Sequence, residues 1–164
     1  MRLLTVPNWS FGRDRDLLRL FEDLLTGWVT VHDLSSDVDH NRTVTAFSGE
    51  ADVVFERLER LAEAAFERLD LNRHIGVHPR VGALDVCPFV RVSDESYPLS
   101  TKIELFAQRL ATRFDVPIFL YERSEKGRHA ADLPTLRAGG FGGLLLRGDL
   151  GADFGPARAH PRLG

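Results

Sequence analysis

The order of apolar and polar positions divides residues 1–122 into alternating strand and helix patterns. The clearest helix is at 51–69, where Val54, Leu58, Leu61 and Phe66 form one apolar stripe and Glu and Arg fill the other face. The predicted elements, in chain order, are a strand at 3–6, a helix at 14–25, strands at 28–34 and 43–47, the helix at 51–69, a strand at 82–92, a helix opened by a capping box of Thr101 and Glu104 and ending at 114, and a strand at 116–121.

The first six elements run β-α-β-β-α-β, and a helix and a strand follow. This order predicts an α+β fold, a ferredoxin-like split βαβ sandwich with an antiparallel sheet and its helices on one face. A flavodoxin-like parallel sheet is the alternative. It is disfavoured because no helix separates the second strand from the third.

Beyond residue 122 the sequence becomes rich in Gly and Pro. We expect one domain over 1–164, with a core at 1–122 and a coil-rich tail at 123–164 that has at most short helical turns. A tail of this composition is either a disordered end or a segment that wraps over a ligand or partner.

Charge and cysteine content exclude several classes of protein. The 164 residues carry 21 Lys and Arg against 24 Asp and Glu, which is not the balance of a generally basic nucleic-acid binder. With Cys87 as the single cysteine, neither an internal disulfide nor a multi-cysteine zinc site is possible. No apolar run approaches a membrane span, and the first residues do not resemble a signal peptide. We therefore expect a cytoplasmic protein without membrane association.

Two histidines and two arginines lie between the clearest helix and the next strand, at 73–80. His78 can exchange protons near neutral pH, Arg80 can bind carboxylates, and Pro79 restricts the backbone beside His78. The alternative is a polar loop with solvated histidines. A zinc site on His74 and His78 is disfavoured, because Gly76 and Pro79 interrupt the helix that such a pair requires.

A second polar stretch lies at 37–44. Asn41 and Arg42 open a strand, so both side chains should lie at its rim, where Arg42 could bind a carboxylate. Asp37 or Asp39 could bind an amine or amidine, but turn geometry explains these residues equally well and is favoured on the residues alone. Cys87 lies within a strand pattern and is expected to be a buried thiol.

Several ordered motifs carry a family resemblance: V-P-N-W-S at 6–10, D-H-N-R-T-V at 39–44, H-P-R-V-G-A-L-D-V-C-P-F at 78–89, V-P-I-F-L-Y at 116–121, L-P-T-L-R-A-G at 133–139 and D-F-G-P at 153–156. Together they resemble the N-terminal subdomain of glutamate formiminotransferase (glutamate formimidoyltransferase), the transferase part of formiminotransferase-cyclodeaminase. One departure is G-F-G-G at 140–143, where the family usually has an acidic G-E-Y-E run.

The resemblance implies a ferredoxin-like fold and transfer of a formimidoyl group from N-formimino-L-glutamate to tetrahydrofolate, in histidine degradation and one-carbon metabolism. The family's catalytic histidine carries over onto His78 as a general acid and base, with no metal. Asn41, Arg42, Arg80 and Arg137 are the substrate-binding candidates. The family's folate-binding stretch carries over onto Gly155, Pro156, Ala157, Arg158, Ala159, His160, Pro161, Arg162, Leu163 and Gly164.

The family's transferase unit has two subdomains, and this chain matches the first. We therefore expect the second wall of the site to come from another copy in a homo-oligomer or from a separate chain. The expected ligands are folate and formiminoglutamate, with no nucleic acid. The alternatives are a non-catalytic folate-binding or regulatory module and a fragment of a longer transferase, although Met1 and the family-like start favour a native N-terminus.

Overall fold

The structure, a computed structural model, describes residues 1–93 and 98–164. The chain divides into two compact units, Met1–Tyr97 and Pro98–Gly164. Both helices and an antiparallel sheet are present, which confirms the α+β class. The division into a core at 1–122 and a tail at 123–164 stays a prediction.

The first unit contains six strands and two helices within the described residues. The sheet order is β5-β2-β4-β1-β6, with β3 paired to the free side of β4, and every pairing is antiparallel. The elements are β1 (Arg2–Thr5), β2 (Asn8–Trp9), α1 (Arg15–Leu25), β3 (Thr30–Asp37), β4 (Arg42–Glu50), α2 (Ala51–Arg68), β5 (Leu84–Val86) and β6 (Phe89–Arg91).

Proline interrupts two strands of this sheet. β1 and β2 both pair with β4 and are separated at Pro7, and β5 and β6 are separated at Pro88. Proline has no N–H to donate to a ladder, so the continuous strand predicted at 82–92 is wrong and becomes two short strands.

Counting each interrupted pair as one strand gives a simple topology. The strands before and after α1 are separated by β4, and the strands before and after α2 are separated by β1 and β2. Each βαβ unit is thus split by a strand of the other, as the predicted element order requires. The ferredoxin-like assignment itself stays a prediction.

The core of the first unit lies on one face of the sheet. Along β4 the side chains alternate, with Thr43, Thr45 and Phe47 buried. Trp9 donates from Nε1 to Thr45 Oγ1 at 3.1 Å and packs edge-to-face against Phe21 of α1. Burying a side chain the size of Phe21 stabilises the fold by roughly 1.5–3 kcal/mol, so this face fixes α1 on the sheet.

The helix predictions for the first unit are confirmed. Asp14 caps α1 by accepting from Leu17 N at 2.9 Å. In the second unit, α3 (Leu99–Phe114) begins before the predicted capping box, and its N-cap residue is Pro98. The capping box at Thr101 and Glu104 is therefore wrong.

The second unit is short of regular structure after α3. It contains a 3-10 turn at Glu122–Ser124, α4 (Leu133–Leu136) and α5 (Gly140–Leu145). The predicted strand at 116–121 is wrong: within the described residues that segment makes a single bridge, Ile118 to Phe154. Pro117 removes one donor there, so a ladder does not extend.

The tail folds against its own unit. Leu150, Ala159 and Leu163 are buried, and Leu150 N donates to Ala157 O at 2.9 Å. Gly155 has φ +86°, and a Cβ there would lie 2.3 Å from the carbonyl oxygen of Val116. Only glycine allows this approach, by which the tail lies against the segment that follows α3.

Among the described residues, no helix is both long enough and apolar enough to cross a membrane.

Candidate functional site

The site lies where the β3–β4 turn, residues 38–41, meets the connection between α2 and β5. We call residues 70–83 of that connection the histidine loop. Val77 N donates to Asp39 O at 3.1 Å, and Asn41 Nδ2 donates to Ile75 O at 3.1 Å. At its far end Ser10 holds the loop, with its N donating to Ala83 O at 2.9 Å. The middle of the loop is thus bound to the β3–β4 turn, and its C-terminal end is bound to Ser10, the residue after β2.

Asn41 joins three segments of the chain. Its Oδ1 accepts from Gly12 N at 2.7 Å while its Nδ2 binds the histidine loop, and its backbone is left-handed at φ 49°. Asn tolerates this conformation better than most residues. The side-chain amide of Asn41, a predicted substrate-binding residue, therefore already forms hydrogen bonds with the protein's own backbone.

Two glycines allow this close approach. A Cβ at Gly12 would lie 2.1 Å from Asp37 O, and a Cβ at Gly76 would lie 2.4 Å from His40 O. Real Cβ atoms do not come this close to a carbonyl oxygen. Gly76 thus lets the histidine loop touch the β3–β4 turn, and Gly12 lets the segment before α1 lie against the same turn.

Arg42 and His78 come together across this junction. Arg42 is the first residue of β4, and its Nη1 lies 3.1 Å from His78 Nε2. A guanidinium only donates, so Nε2 must be the acceptor. The contact therefore requires a neutral His78 ring with its proton on Nδ1. The rings of His40 and His78 are also close, with 6.2 Å between their centroids.

Arg80 is directed back onto its own loop. Its Nη2 donates to Gly76 O at 3.2 Å and also to His78 O, and its Nε donates to His78 O at 3.1 Å. Desolvation lowers the pKa of Arg80, while the negative charge of Asp85 opposes that shift. Arg80 therefore shapes the backbone that carries His78.

His74 completes the junction. Its Nε2 lies 3.0 Å from Arg80 Nη1 and 3.0 Å from Asn41 O. Its Nδ1 is buried and has no hydrogen-bond partner among the described residues. Because a guanidinium only donates, Nε2 accepts from Arg80, and the ring lies against the β3–β4 turn, a role that the sequence analysis did not assign to it.

Asp37 stabilises the β3–β4 turn through its side-chain carboxylate. Its Oδ1 accepts from Asp39 N at 2.9 Å and His40 N at 2.8 Å, and its Oδ2 lies 3.0 Å from His40 Nδ1. The hydrogen bond from the His40 amide is the main reason that the pKa of Asp37 is lowered. The turn interpretation of this residue is confirmed.

Two apolar side chains accompany the polar groups. Ile75 is 75% exposed and Val77 is 77% exposed, both on the histidine loop. Their backbones are bonded to the β3–β4 turn, through Ile75 O and Val77 N, while their side chains face solvent. The sequence analysis passed over them because neither is titratable.

The remaining predicted site residues belong to the second unit. Arg137 follows α4 and is half-buried. In the tail, His160 Nδ1 accepts from Arg162 N at 3.2 Å and Leu163 N at 3.1 Å. Desolvation, followed by the charge of Arg162, lowers the pKa of His160. Arg158 forms an exposed ion pair with Asp115 at 3.3 Å.

The second unit also holds a buried pair that the sequence analysis missed. His129 Nε2 lies 2.8 Å from Asp153 Oδ2, and the two side chains are 10% and 5% exposed. Asp153 Oδ2 also accepts from Leu120 N at 2.7 Å, and His129 Nδ1 lies 2.9 Å from Ala130 O. Since both ring nitrogens face acceptors, the surroundings favour the protonated ring.

The environment of His129 acts on its pKa in two directions. Desolvation lowers the pKa, but the hydrogen bonds to Ala130 and Asp153 raise it, as do the charges of Asp153 and Glu125. The net effect is a raised pKa. The D-F-G-P motif contains Asp153, but nothing in the sequence near it indicates a histidine partner.

Cys87 is a protected thiol. It lies between β5 and β6, its Sγ is 3.9 Å from Thr5 Oγ1, and desolvation raises its pKa to about 12. A thiol with this pKa is almost entirely protonated near neutral pH and is a poor nucleophile. The residue is half-buried, and the raised pKa of its thiol agrees with the expected burial of the sulfur.

The family assignment follows from a direct comparison. The model of the "Formiminotransferase domain, N-terminal subdomain" matches residues 2–164. The chain belongs to this family. The resemblance in the ordered motifs is thereby confirmed.

The names of curated relatives of the chain agree with the family assignment. A glutamate formimidoyltransferase of Streptococcus pyogenes serotype M1 is 36% identical over 97% of the chain and 55% of its own length. A formimidoyltransferase-cyclodeaminase of Sus scrofa is 35% identical over 97% of the chain and 30% of its own length. A glutamate formimidoyltransferase of Thermoplasma acidophilum is 31% identical over 93% of the chain and 53% of its own length. The chain thus spans between about a third and about half of these relatives.

Proposed function

We propose that this chain carries the histidine-bearing half of a site that transfers a formimidoyl group from N-formimino-L-glutamate to tetrahydrofolate. The observation that carries the proposal is the contact between Arg42 and His78, which pairs a proton-accepting imidazole with a carboxylate-binding cation. Membership of the family and the names of the relatives support the same chemistry.

The proposed reaction is an amine exchange at an amidine carbon. A folate amine attacks that carbon, a new C–N bond forms, and the attacking nitrogen gives its proton to His78 Nε2. The tetrahedral intermediate then breaks its C–N bond to glutamate, and His78 returns the proton to the leaving nitrogen. Proton transfer of this kind contributes typically about 10²–10⁴-fold, so substrate positioning supplies the rest.

The proposed roles of the other residues follow from their contacts. Arg42 binds a carboxylate of formiminoglutamate. Its guanidinium lies beside His78 Nε2, the proposed proton acceptor, so a carboxylate bound there would hold the substrate close to the base. Asn41 and Arg80 lie beside that position and support it through the histidine loop. Arg137 and the tail at 155–164 are proposed to bind tetrahydrofolate, whose carboxylates suit the exposed arginines Arg158 and Arg162.

The complete activity is proposed to need a second wall. A site with one wall leaves its charged contacts open to water, where they are weaker. We propose that another copy of the chain supplies that wall in a cytoplasmic homo-oligomer, or that a separate chain does. The alternative is a non-catalytic module that binds folate without transferring the group.

The test is an assay of the pure chain with formiminoglutamate and tetrahydrofolate, beside calorimetric measurement of folate binding. The variants are His78→Ala and, as a control, His32→Ala, which removes an exposed histidine bonded to Ser48 at 2.8 Å. Transfer that is lost only in His78→Ala supports the proposal. Folate binding without transfer favours the module, and neither binding nor transfer overturns both.

A further inference from the structure

We infer that Arg42 gates the proposed base: it occupies His78 Nε2 until a substrate carboxylate draws the guanidinium away. The inference rests on the proposed function and concerns the order of events at that site. Its starting point is the 3.1 Å contact between Arg42 Nη1 and His78 Nε2.

The chemistry of the two groups explains why the contact blocks the base. A neutral imidazole has one lone pair in its plane, on the nitrogen that carries no proton. While Arg42 Nη1 donates to that lone pair, Nε2 cannot accept a proton from an attacking amine. The proposed base, His78 Nε2, is therefore in place but already hydrogen-bonded to Arg42.

A carboxylate is the natural competitor for Arg42. The guanidinium has five N–H donors in a fixed fork, which matches two carboxylate oxygens, whereas His78 offers one neutral acceptor. The pairing of opposite charges through two hydrogen bonds is stronger than one bond to a neutral ring. Formiminoglutamate carries such carboxylates, so its binding frees Nε2 at the moment when the base is needed.

The neighbouring arginine cannot perform this exchange. Arg80 donates to the backbone oxygens of Gly76 and His78 and to the ring of His74. These contacts tie its guanidinium to the histidine loop. The backbone of Arg42 is fixed in β4, where it pairs in register with Asp37, and the side-chain contact of its guanidinium among the described residues is the one to His78.

Arg42 and His78 are 36 positions apart in the sequence, and the contact depends on the alignment of the β3–β4 turn with the histidine loop. A gate of this kind ties proton transfer to the presence of the formimidoyl donor. Tetrahydrofolate alone would meet a His78 ring whose lone pair is occupied. Binding of the donor first is therefore the expected order.

The test uses nitrogen-15 NMR of the histidine rings in the full chain, without tetrahydrofolate. In the wild type we expect the His78 ring to be neutral with its proton on Nδ1 and a hydrogen-bonded Nε2. L-glutamate, used as an unreactive carboxylate probe, should move the Nε2 signal toward that of an unbonded nitrogen. Sodium chloride at equal ionic strength should not.

The variant Arg42→Gln should start from a changed His78 Nε2 signal that L-glutamate no longer moves, and it should bind L-glutamate at least ~10-fold more weakly. Arg15→Gln, which changes an exposed arginine of α1, should behave as the wild type, and backbone amide spectra check that both variants fold. A wild-type ring with its proton on Nε2, or a glutamate response retained in Arg42→Gln, overturns the gate. Because no transfer is measured, this outcome is independent of the assay of the proposed function.

Discussion

At the residue scale, Arg80 and Arg42 show how the same residue type serves two different purposes. Arg80 binds the backbone oxygens around His78, and Arg42 binds the ring of His78 itself. The contacts of Arg80 fix the position of the His78 ring, and the contact of Arg42 determines whether Nε2 of that ring is available. Both arginines looked equivalent in the sequence as candidates for carboxylate binding.

Replacing Arg80 with Lys should lower kcat of the proposed transfer by at least ~10-fold, with little change in KM for formiminoglutamate. Lysine keeps the charge but cannot contact Gly76 O, His78 O and His74 at once, because it lacks the planar fork. Steady-state kinetics check the expected split, and a thermal unfolding curve checks stability. Equal kcat in the two proteins would contradict a positioning role.

At the element scale, the histidine loop depends on contact between backbones. Gly76→Ala should destabilise the protein by about 1–3 kcal/mol, because the new Cβ would lie 2.4 Å from His40 O. Urea unfolding measures the difference in free energy of unfolding.

Gly142→Ala is the matched control for that change. Gly142 lies in α5, and a Cβ there would meet nothing within 4 Å. Alanine favours helix over glycine, so this variant should be more stable by roughly 0.5–1 kcal/mol. A Gly76→Ala variant as stable as the wild type would show that the turn and the loop do not touch as described.

The buried pair of His129 and Asp153 ties three segments of the second unit together. It joins Leu120, the residues around Ala130 and the bridge that precedes the proposed folate segment. Asp153→Ala leaves the His129 cation without its partner and should cost roughly 3–5 kcal/mol. Arg158→Ala, which removes an exposed ion pair, should cost no more than about 1 kcal/mol.

The same pair predicts a dependence on pH. The pKa of His129 is raised above its ordinary value of 6.5, so the folded state holds the proton more tightly than the unfolded state. The contribution is complete below about pH 6.5 and is lost as the pH rises through the folded-state pKa. Hydrogen exchange of the Leu120 amide, corrected for intrinsic rates, should show falling protection over that window. Protection that does not change with pH in the wild type would refute the pair.

At the scale of the whole molecule, the chain spans less than two thirds of the relatives it matches. If a second copy supplies the proposed second wall, specific activity should rise with protein concentration as the oligomer forms. Light scattering beside the transfer assay relates the two. Full activity from a monomer would contradict the need for a second wall.

Sequence patterns predicted the first unit better than the second. The helices and the β3–β4 hairpin follow from strong periodicity in the sequence. Each strand of the first unit also has a neighbouring strand with which it pairs. The apolar run at 116–121 has the composition of a strand, but it makes one bridge, because a strand requires a neighbour with a matching edge. Local composition does not supply that neighbour.

The sequence by itself determined the α+β class, the helix positions and the family, because periodicity and ordered motifs are properties of short stretches of chain. It also brought forward His78 and its neighbours as candidates. Only the tertiary structure decided that Arg42 contacts the ring of His78, that Arg80 contacts its backbone, and that His129 pairs with Asp153. The first and last of these contacts join residues 36 and 24 positions apart, so they depend on sheet register and on close loop packing. No short stretch of sequence encodes those distances.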